Sequence, residues 1–481
     1  MRRYGISGWC PALLLILSFS ACKKQSWLNS GGKITFSVDT LMFDTVFTAQ
    51  GSATRSLKIF NPQKQGIHIS SIRFEKGNAS PFRLNVNGYT GKEVDHVDIS
   101  GKDSVWIFTA VTINPDSADN PFLVEDKLLV TLNDQTFSIP VIAYGQNAHY
   151  IVDSVLQTQT WINDKPYVII HNALVDNNAT LTIKPGVRVY MHQDSRLFVM
   201  GSLNIEGQKG DSVIFQGDRI DRDIYVGNYD DIPGEWGGLY FFPQSHSNVI
   251  NYAVFKNGGA STQLSGQTVL GATIQINKDS LQNGQPVLNI TNSIIHHSQG
   301  YGIVAFNSSM YAANCLIAAC GAENMMLMQG GDYKIYDCTI ATYGSTYIDH
   351  SKYVSMGVLN YYPVSQSSYI GGDLTADIRG CIIYGSLDDE LVIDKKNDFT
   401  ANIQLSHCLV KSAEALPAFV NASGNIFNED PMFVKREKMD FHVQAASPAV
   451  HNGIIIPGIT EDLDGVTRPA GSPTIGCYEF H

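Results

Sequence analysis

The sequence predicts an all-β chain of two unlike parts, a β-sandwich over residues 33–148 and a right-handed parallel β-helix over 149–481. Three observations lead there. Residues 33–145 run in short alternating apolar stretches with a turn-rich gap every 8–12 residues or so. From about residue 150 the strands shorten to three to five residues between Gly, Pro and Asp, and one short motif recurs to about residue 412. No stretch carries a 3.6-residue apolar period over several turns, which excludes a helical repeat.

The sandwich strands are read from "KITFSVDTLMFDTVF", "RSLKIFNPQ", "IHISSIRFE", "FRLNVNGY", "SVWIFTAVTINP" and "DKLLVTLNDQTFSIPVIAYG". Their order resembles the immunoglobulin-like domains of the abnormal-spindle/Hydin type. That resemblance implies a spacer or adhesion module and no activity.

The repeated motif is "VINYAVFKNG" (249–258), "NITNSIIHHS" (289–298), "YAANCLIAAC" (311–320), "KIYDCTIATY" (334–343), "DIRGCIIYGS" (377–386) and "IQLSHCLVKS" (403–412). Each has a turn residue, a small residue, then aliphatic positions. The small residues are Ala253, Ser293, Cys315, Cys338, Cys381 and Cys408, with gaps of 40, 22, 23, 43 and 27. Gaps of 22 and 23 suit one coil; 40 and 43 suit two coils, or one with a long loop. One coil cannot bury its own inner face, so equivalent positions stack roughly 4.8 Å apart and share a core. Asn292, Asn314 and Asp337 then fall in one column at a tight corner, where their side chains satisfy one another and the backbone. At about 25 residues per coil, residues 150–480 hold about a dozen coils. Cys315 exchanges with Ala and Ser along its column, so these cysteines read as buried free thiols that mark register, not as ligands or nucleophiles. Cys320 lies outside the column.

"LTIKPGVRVYM" (181–191) and "GEWGGLYF" (234–241) resemble the opening coils of secreted bacterial right-handed β-helix proteins of the pectate-lyase-like superfamily. "DPMFV…DFHVQAASPAVHNG" (430–453) and "DLDGVTRPAGSPTIGCYEF" (462–480) resemble their closing coils. The resemblance implies the fold; such helices serve lyases, hydrolases, adhesins and spacers alike.

The N-terminus reads as an export signal over 1–21. Arg2 and Arg3 precede an apolar run, Pro11 to Ala21, too short for the about 20 residues a membrane span needs. It ends in "FSAC" and resembles the lipobox of bacterial lipoproteins, with Phe19 where Leu is usual. The resemblance makes Cys22 the lipidated first residue of the mature chain, followed by a tether over 22–32. Lys23 stands where the inner-membrane retention signal would put Asp, so an outer-membrane anchor is expected, with the periplasmic and surface-facing leaflets both open.

Charged residues are 16% and the net charge is −12, with no basic run, which excludes nucleic acid as a partner. A catalytic β-helix needs three or more charged side chains converging in one groove. The strands "GIVAF" (302–306), "NMMLMQ" (324–329), "MGVLNYY" (356–362) and "ELVID" (390–394) would floor such a groove. The middle of the first three is apolar in either parity, and the Asp pairs, "GHG" and "RIK" of polygalacturonase-type hydrolases are missing. Candidates for chemistry are therefore the loop residues Asp388, Asp389, Glu390, Asp394 and Lys395; each is read first as an ordinary acidic turn. No metal site is expected, and Ca²⁺ at such a turn is the one cofactor weighed. His296 and His297 read as solvated, Asp349, His350 and Lys352 as loop residues, and Asp462 and Asp464 as an Asx-turn.

Aromatic residues point elsewhere. Tyr333, Tyr336, Tyr343, Tyr347, Tyr353, Tyr361, Tyr362 and Tyr369 crowd together, and Tyr225, Tyr229, Trp236 and Tyr240 form a second group. Exposed ring faces stack on sugars, and Tyr353, Tyr361, Tyr362 and Trp236 are the expected ligand-binding residues. The expected function is a lipid-anchored, non-catalytic protein binding a polysaccharide or another cell-envelope ligand. The rivals are a polysaccharide lyase or glycoside hydrolase acting on a uronic-acid polymer, and a purely structural adhesin.

Overall fold

The computed structural model describes residues 25–481, except 53, 116–120, 220–230, 265–266, 279, 281–284 and 366. The expected signal, Cys22, Tyr225 and Tyr229 lie outside the described residues. No helix among those described is long and apolar enough to cross a membrane. The chain forms two compact units, the first ending at Gln146 and the second running Asn147–His481.

The first unit is a two-sheet sandwich. One sheet orders Trp27–Leu28, Gly66–Phe74, Phe122–Leu132, Gln135–Gln146 and Leu41–Phe47, with Glu93–Ile99 also on Gly66–Phe74. The other orders Thr35–Phe36, Arg55–Phe60, Ser104–Val111, Phe82–Val86 and Tyr89–Gly91. Alternation sends Leu57, Ile59, Ile69, Phe74, Phe82 and Val130 into a shared core. Part of the expected tether joins the fold, since Trp27 pairs with Gly66 and stacks on His68. The "NPQ" turn is held by buried Asn61, whose Nδ2 donates to the carbonyls of Gln65, Ile99 and Ser100.

The second unit is a parallel β-helix in which a coil supplies one strand to each of three sheets. The inner row of the first sheet is Ile274, Ile303, Met325, Met356 and Leu391. That of the second is Ile290, Ala312, Ile335, Ile378 and Leu405. That of the third includes Ile295, Ile317, Ile340, Ile383 and Val410. All join one core.

The corner between second and third sheets is left-handed in coil after coil. φ is 44° at Tyr252, 49° at Asn292, 50° at Asn314, 48° at Asp337, 63° at Gly380 and 50° at His407. Asn, Asp and Gly adopt this region most cheaply. The amides also ladder: Asn314 Nδ2 donates to Asn292 Oδ1 at 3.2 Å, and Asn292 Nδ2 to Asn251 Oδ1 at 2.9 Å. Asp337, expected in the same ladder, does not join it, and neither of its buried carboxylate oxygens accepts a hydrogen bond. The next residue in each coil is the small one, and it points inward. Cys315, Cys338, Cys381 and Cys408 are buried, free thiols. Each thiol donates to the carbonyl two residues back at 3.3 Å. The N–H groups of Cys338 and Cys381 point at the sulfur of the next coil, at 3.5 and 3.4 Å. Ser293 plays the same part, accepting from Ala253 N and donating to Thr291 O.

The long gaps are single coils with insertions, because Val254 pairs directly with Ile294 and Thr339 with Ile382. The extra residues include the hairpin Tyr361–Pro363/Tyr369–Gly371 and a loop over 343–355. The helix therefore has fewer coils than the spacing suggested. The expected closing coils are also corrected. Residues 430–481 form a hairpin, Phe433–Lys435/Asp440–Val443, then an extended strap. Phe433, Phe441, Leu463, Ile475 and Tyr478 cover the outward row Leu316, Ala318, Ala341, Ile382, Tyr384 and Leu409 of the third sheet. A solvent-facing apolar row needs such a cover.

Candidate functional site

A groove of mixed polar, charged and aromatic lining lies on the outer face of the second sheet. It has a volume of about 610 Å³ and opens where the chain bends from the first sheet into the second. Parallel register brings Asn289, Tyr311, Lys334, Asp377 and Gln404 into one outward row. Ser309 and Asp332 form the neighbouring row. The groove proper takes Asn289, Ser309, Tyr311, Asp332 and Lys334 from these rows. Asn307 and Asp373 stand at the bend, and Gln285 and Pro286 form a wall.

The bend is built for close approach. Gly330 and Gly331 have φ of 85° and 123°, and a Cβ on them would lie 2.4 Å from Gly372 O and 2.2 Å from Ser308 O. Below them, fully buried Tyr333 donates its hydroxyl to Gly330 O at 3.0 Å and accepts from Ser308 N at 3.2 Å. Asp373 Oδ1 accepts from Thr400 N and Oγ1, both at 2.8 Å, and these bonds hold its carboxyl below the ordinary range. Ser309 Oγ accepts from Val287 N at 3.0 Å, tying the wall to the floor. Burial pushes the Tyr311 phenol up, so it stays neutral and has both a donor and an acceptor to offer a ligand. Beside the groove, Tyr311 meets Tyr336 edge-on, and the Tyr336 hydroxyl donates to Asp377, which Arg379 clamps with two bonds of 2.7 Å. Asp332, Lys334 and Asp373 put three charged side chains in one groove.

The expected acidic cluster does not converge. Asp388 is exposed. Asp389 caps the next turn, accepting from Ala413 N, Glu414 N and Ser412 Oγ. Glu390, expected in an exposed turn, is fully buried, since five hydrogen bonds from His350, Ser355 and Leu387 replace its water. Asp394 accepts from the Tyr361 hydroxyl at 2.7 Å, and Lys395 Nζ lies over the Phe419 ring. Among the described residues no three His, Cys, Asp or Glu side chains gather as a metal site.

The aromatic expectation divides. Trp236 offers no ring to a ligand: it is fully buried, near-parallel to Phe215, and its indole N–H donates to Lys256 O at 2.9 Å. Tyr362 packs edge-on to Phe306 over an apolar cluster with Val304, Met326 and Leu359. The supposed groove floor of the first sheet is thus covered. Tyr361 lies under Lys396 at 4.5 Å. Tyr353 lines a 220 Å³ pocket with Tyr347, Asp349, Lys352, Pro233 and Gln299. Burial, then Glu323, Tyr353 and Tyr362, push the Tyr301 phenol up to about 12. Burial also raises the Glu323 carboxyl, whose Oε2 accepts no hydrogen bond. His297 is buried and His296 half-buried; their Nδ1 atoms are 2.7 Å apart, and burial lowers both imidazoles. Asp462 is a buried turn residue, accepting from Val466 N and Glu479 N.

The groove residues were legible in one respect. Asn289, Tyr311, Lys334 and Asp377 each stand four positions before the small residue of their motif, so the alignment of repeats already holds the outward row. What it lacks is which part of that row lies beside a bend.

No family model matches the chain, and no curated protein matches it. Among solved structures, the catalytic domain of Agl-KA is similar over 78% of this chain and 80% of its own, at 11% identity and a TM-score of 0.25. A family 123 glycoside hydrolase from Clostridium perfringens matches over 24% of this chain and 26% of its own, about a quarter of its length, at 8% identity and a TM-score of 0.17. A PapD-like domain of human CEP192 matches over 24% of this chain and 87% of its own, at 7% identity and a TM-score of 0.17. At these scores the functional reading rests on the site alone.

Proposed function

We propose that this protein binds a polysaccharide of the cell envelope along the second-sheet groove, and is held at the outer membrane through a lipid on Cys22. The observation that carries the reading is the groove's lining. Amides, hydroxyls and charges alternate over adjacent coils at Asn289, Ser309, Tyr311, Asp332 and Lys334, which suits a polymer rich in hydroxyl groups. The tyrosine adds a ring face with a polar edge. Gel-retardation affinity measurements over a panel of neutral and uronic-acid polysaccharides test it. Tyr311→Ala/Lys334→Ala should weaken retention by the bound polymer about tenfold with an unchanged melting temperature. Equal retention of the variant and the unsubstituted chain sinks the proposal.

A second reading, a glycoside hydrolase, draws on the three charged side chains that meet in the groove, Asp332, Lys334 and Asp373, and on Glu323, a half-buried carboxyl raised by desolvation beside tyrosines, as a general acid requires. Release of reducing ends that is lost in Glu323→Gln would favour it; an unsaturated product absorbing in the ultraviolet would indicate a lyase instead.

A further inference from the structure

We propose that the sandwich carries a separate binding face for an acidic polysaccharide, formed by Trp106, Phe108, Phe60, Lys58 and Arg83. It lies on the first unit and does not depend on the groove reading. The face is the outer side of the sheet containing Arg55–Phe60, Ser104–Val111 and Phe82–Val86. Antiparallel register sets Lys58 opposite Trp106, Ser56 opposite Phe108, and Asn85 opposite Phe108 on the other side. Because inward residues Leu57, Ile59, Val105, Ile107 and Leu84 fill the core, their neighbours must face out.

Those neighbours are unusual for a solvent face. Trp106 is 46% exposed, Phe108 41% and Phe60 37%. The core would accept any polar residue at these outward positions, so folding does not require three aromatics there. Trp106 and Phe108 lie near-parallel, 20° apart with centroids 6.2 Å apart. Together with Phe60, these partly exposed, stacked rings offer an apolar surface to the C–H faces of a sugar chain. The charge on the face selects among sugars. Lys58 Nζ is held 4.3 Å from the Trp106 centroid, and Arg83 projects from the adjoining strand with a bond to Thr112 Oγ1. The outward positions of these three strands are Ser56, Lys58, Phe60, Ser104, Trp106, Phe108, Ala110, Arg83 and Asn85, and they include no carboxylate. In a chain of net charge −12, an aromatic face with two cations and no anion is complementary to a uronate carboxylate beside each stacked ring.

Affinity electrophoresis of the full chain in gels containing alginate, polygalacturonate or dextran tests this, in a Tyr311→Ala/Lys334→Ala background that weakens the groove. The acidic gels should retard the protein and dextran should not. Trp106→Ala/Phe108→Ala should weaken that retardation about tenfold, and Lys58→Gln/Arg83→Gln should weaken it at low salt but little at high salt. Both pairs are surface changes, and unchanged melting temperatures verify folding. Equal migration of the aromatic variant and its parent overturns the proposal. So does an aromatic variant that loses self-association while keeping its retardation, which would make the face an interface between copies of this chain.

Discussion

His350 Nε2 lies 2.9 and 3.1 Å from the two carboxylate oxygens of Glu390, and the two side chains are 2% and 0% exposed. Ser355 adds its N–H and hydroxyl to Oε2, and Leu387 N adds a bond to Oε1. One carboxylate therefore ties the 343–355 loop to the turn before strand Leu391–Asp394. Glu390→Ala leaves a buried imidazole and two backbone donors unpaired, at a cost of about 3–5 kcal/mol. Urea unfolding should show that loss, and limited proteolysis should cut first within 343–355. A loss under about 1 kcal/mol would mean that water replaces the carboxylate.

Asp337 sits at the left-handed corner, 1% exposed, and Arg468 Nε of the C-terminal strap approaches Oδ2 at 3.8 Å. Burial pushes its carboxyl up to about 8 against the pull of Arg468, with Cys338 and Glu479 adding to the rise. A carboxyl raised in the folded state binds its proton more tightly there than in the unfolded chain. Its contribution is complete below pH about 4 and is lost as pH rises to about 8. Asp337→Asn removes the titration, so its melting temperature should fall less than that of the unsubstituted chain over this window. Parallel curves would refute the assignment.

Cys381 accepts from Cys338 N and donates to Arg379 O, as Ser293 does in its own coil. Cys381→Ser should therefore cost no more than about 1 kcal/mol, while Cys381→Leu overfills the column and should cost about 1–3 kcal/mol. Burial pushes the Cys315 and Cys381 thiols well up and that of Cys320 to about 12. A thiol reagent at neutral pH should leave these three unmodified until denaturant is added.

Gly476 has φ of 102°, and its N–H donates to Gly380 O at 2.8 Å where the strap crosses the corner. A Cβ would lie 2.8 Å from Ile382 Cδ1 and Thr339 Oγ1. Gly476→Ala should cost about 1–3 kcal/mol and loosen the strap, exposing Leu316, Ile382 and Leu409. Increased binding of a hydrophobic dye with unchanged far-ultraviolet dichroism would report it.

Legibility follows repetition. The cysteine column and the Asn292–Asn314–Asp337 corner were readable because each coil repeats the same local demand, a left-handed residue and then a small inward one. Glu390 misled because "DDE" resembles any acidic turn, and its burial depends on His350 arriving from forty residues earlier. Trp236 misled in the same way: an aromatic in the glycine-rich "GEWGG" looks exposed until Phe215 and Lys256 are seen to enclose it.

The amino-acid sequence alone determined the β-helix and the column of small inward residues at its left-handed corner, because each coil repeats the same local motif. The coil count across the two long gaps and the facing of the first-sheet strands came from the pairing of strands in space. Tertiary structure alone decided which outward residues meet solvent. The loop and hairpin over Val304 and Met326, the strap over Ile382, and the open bend beside Tyr311 and Lys334 are settled by non-repeating segments. Where such a segment docks depends on the whole surface it finds, and no local pattern encodes that surface.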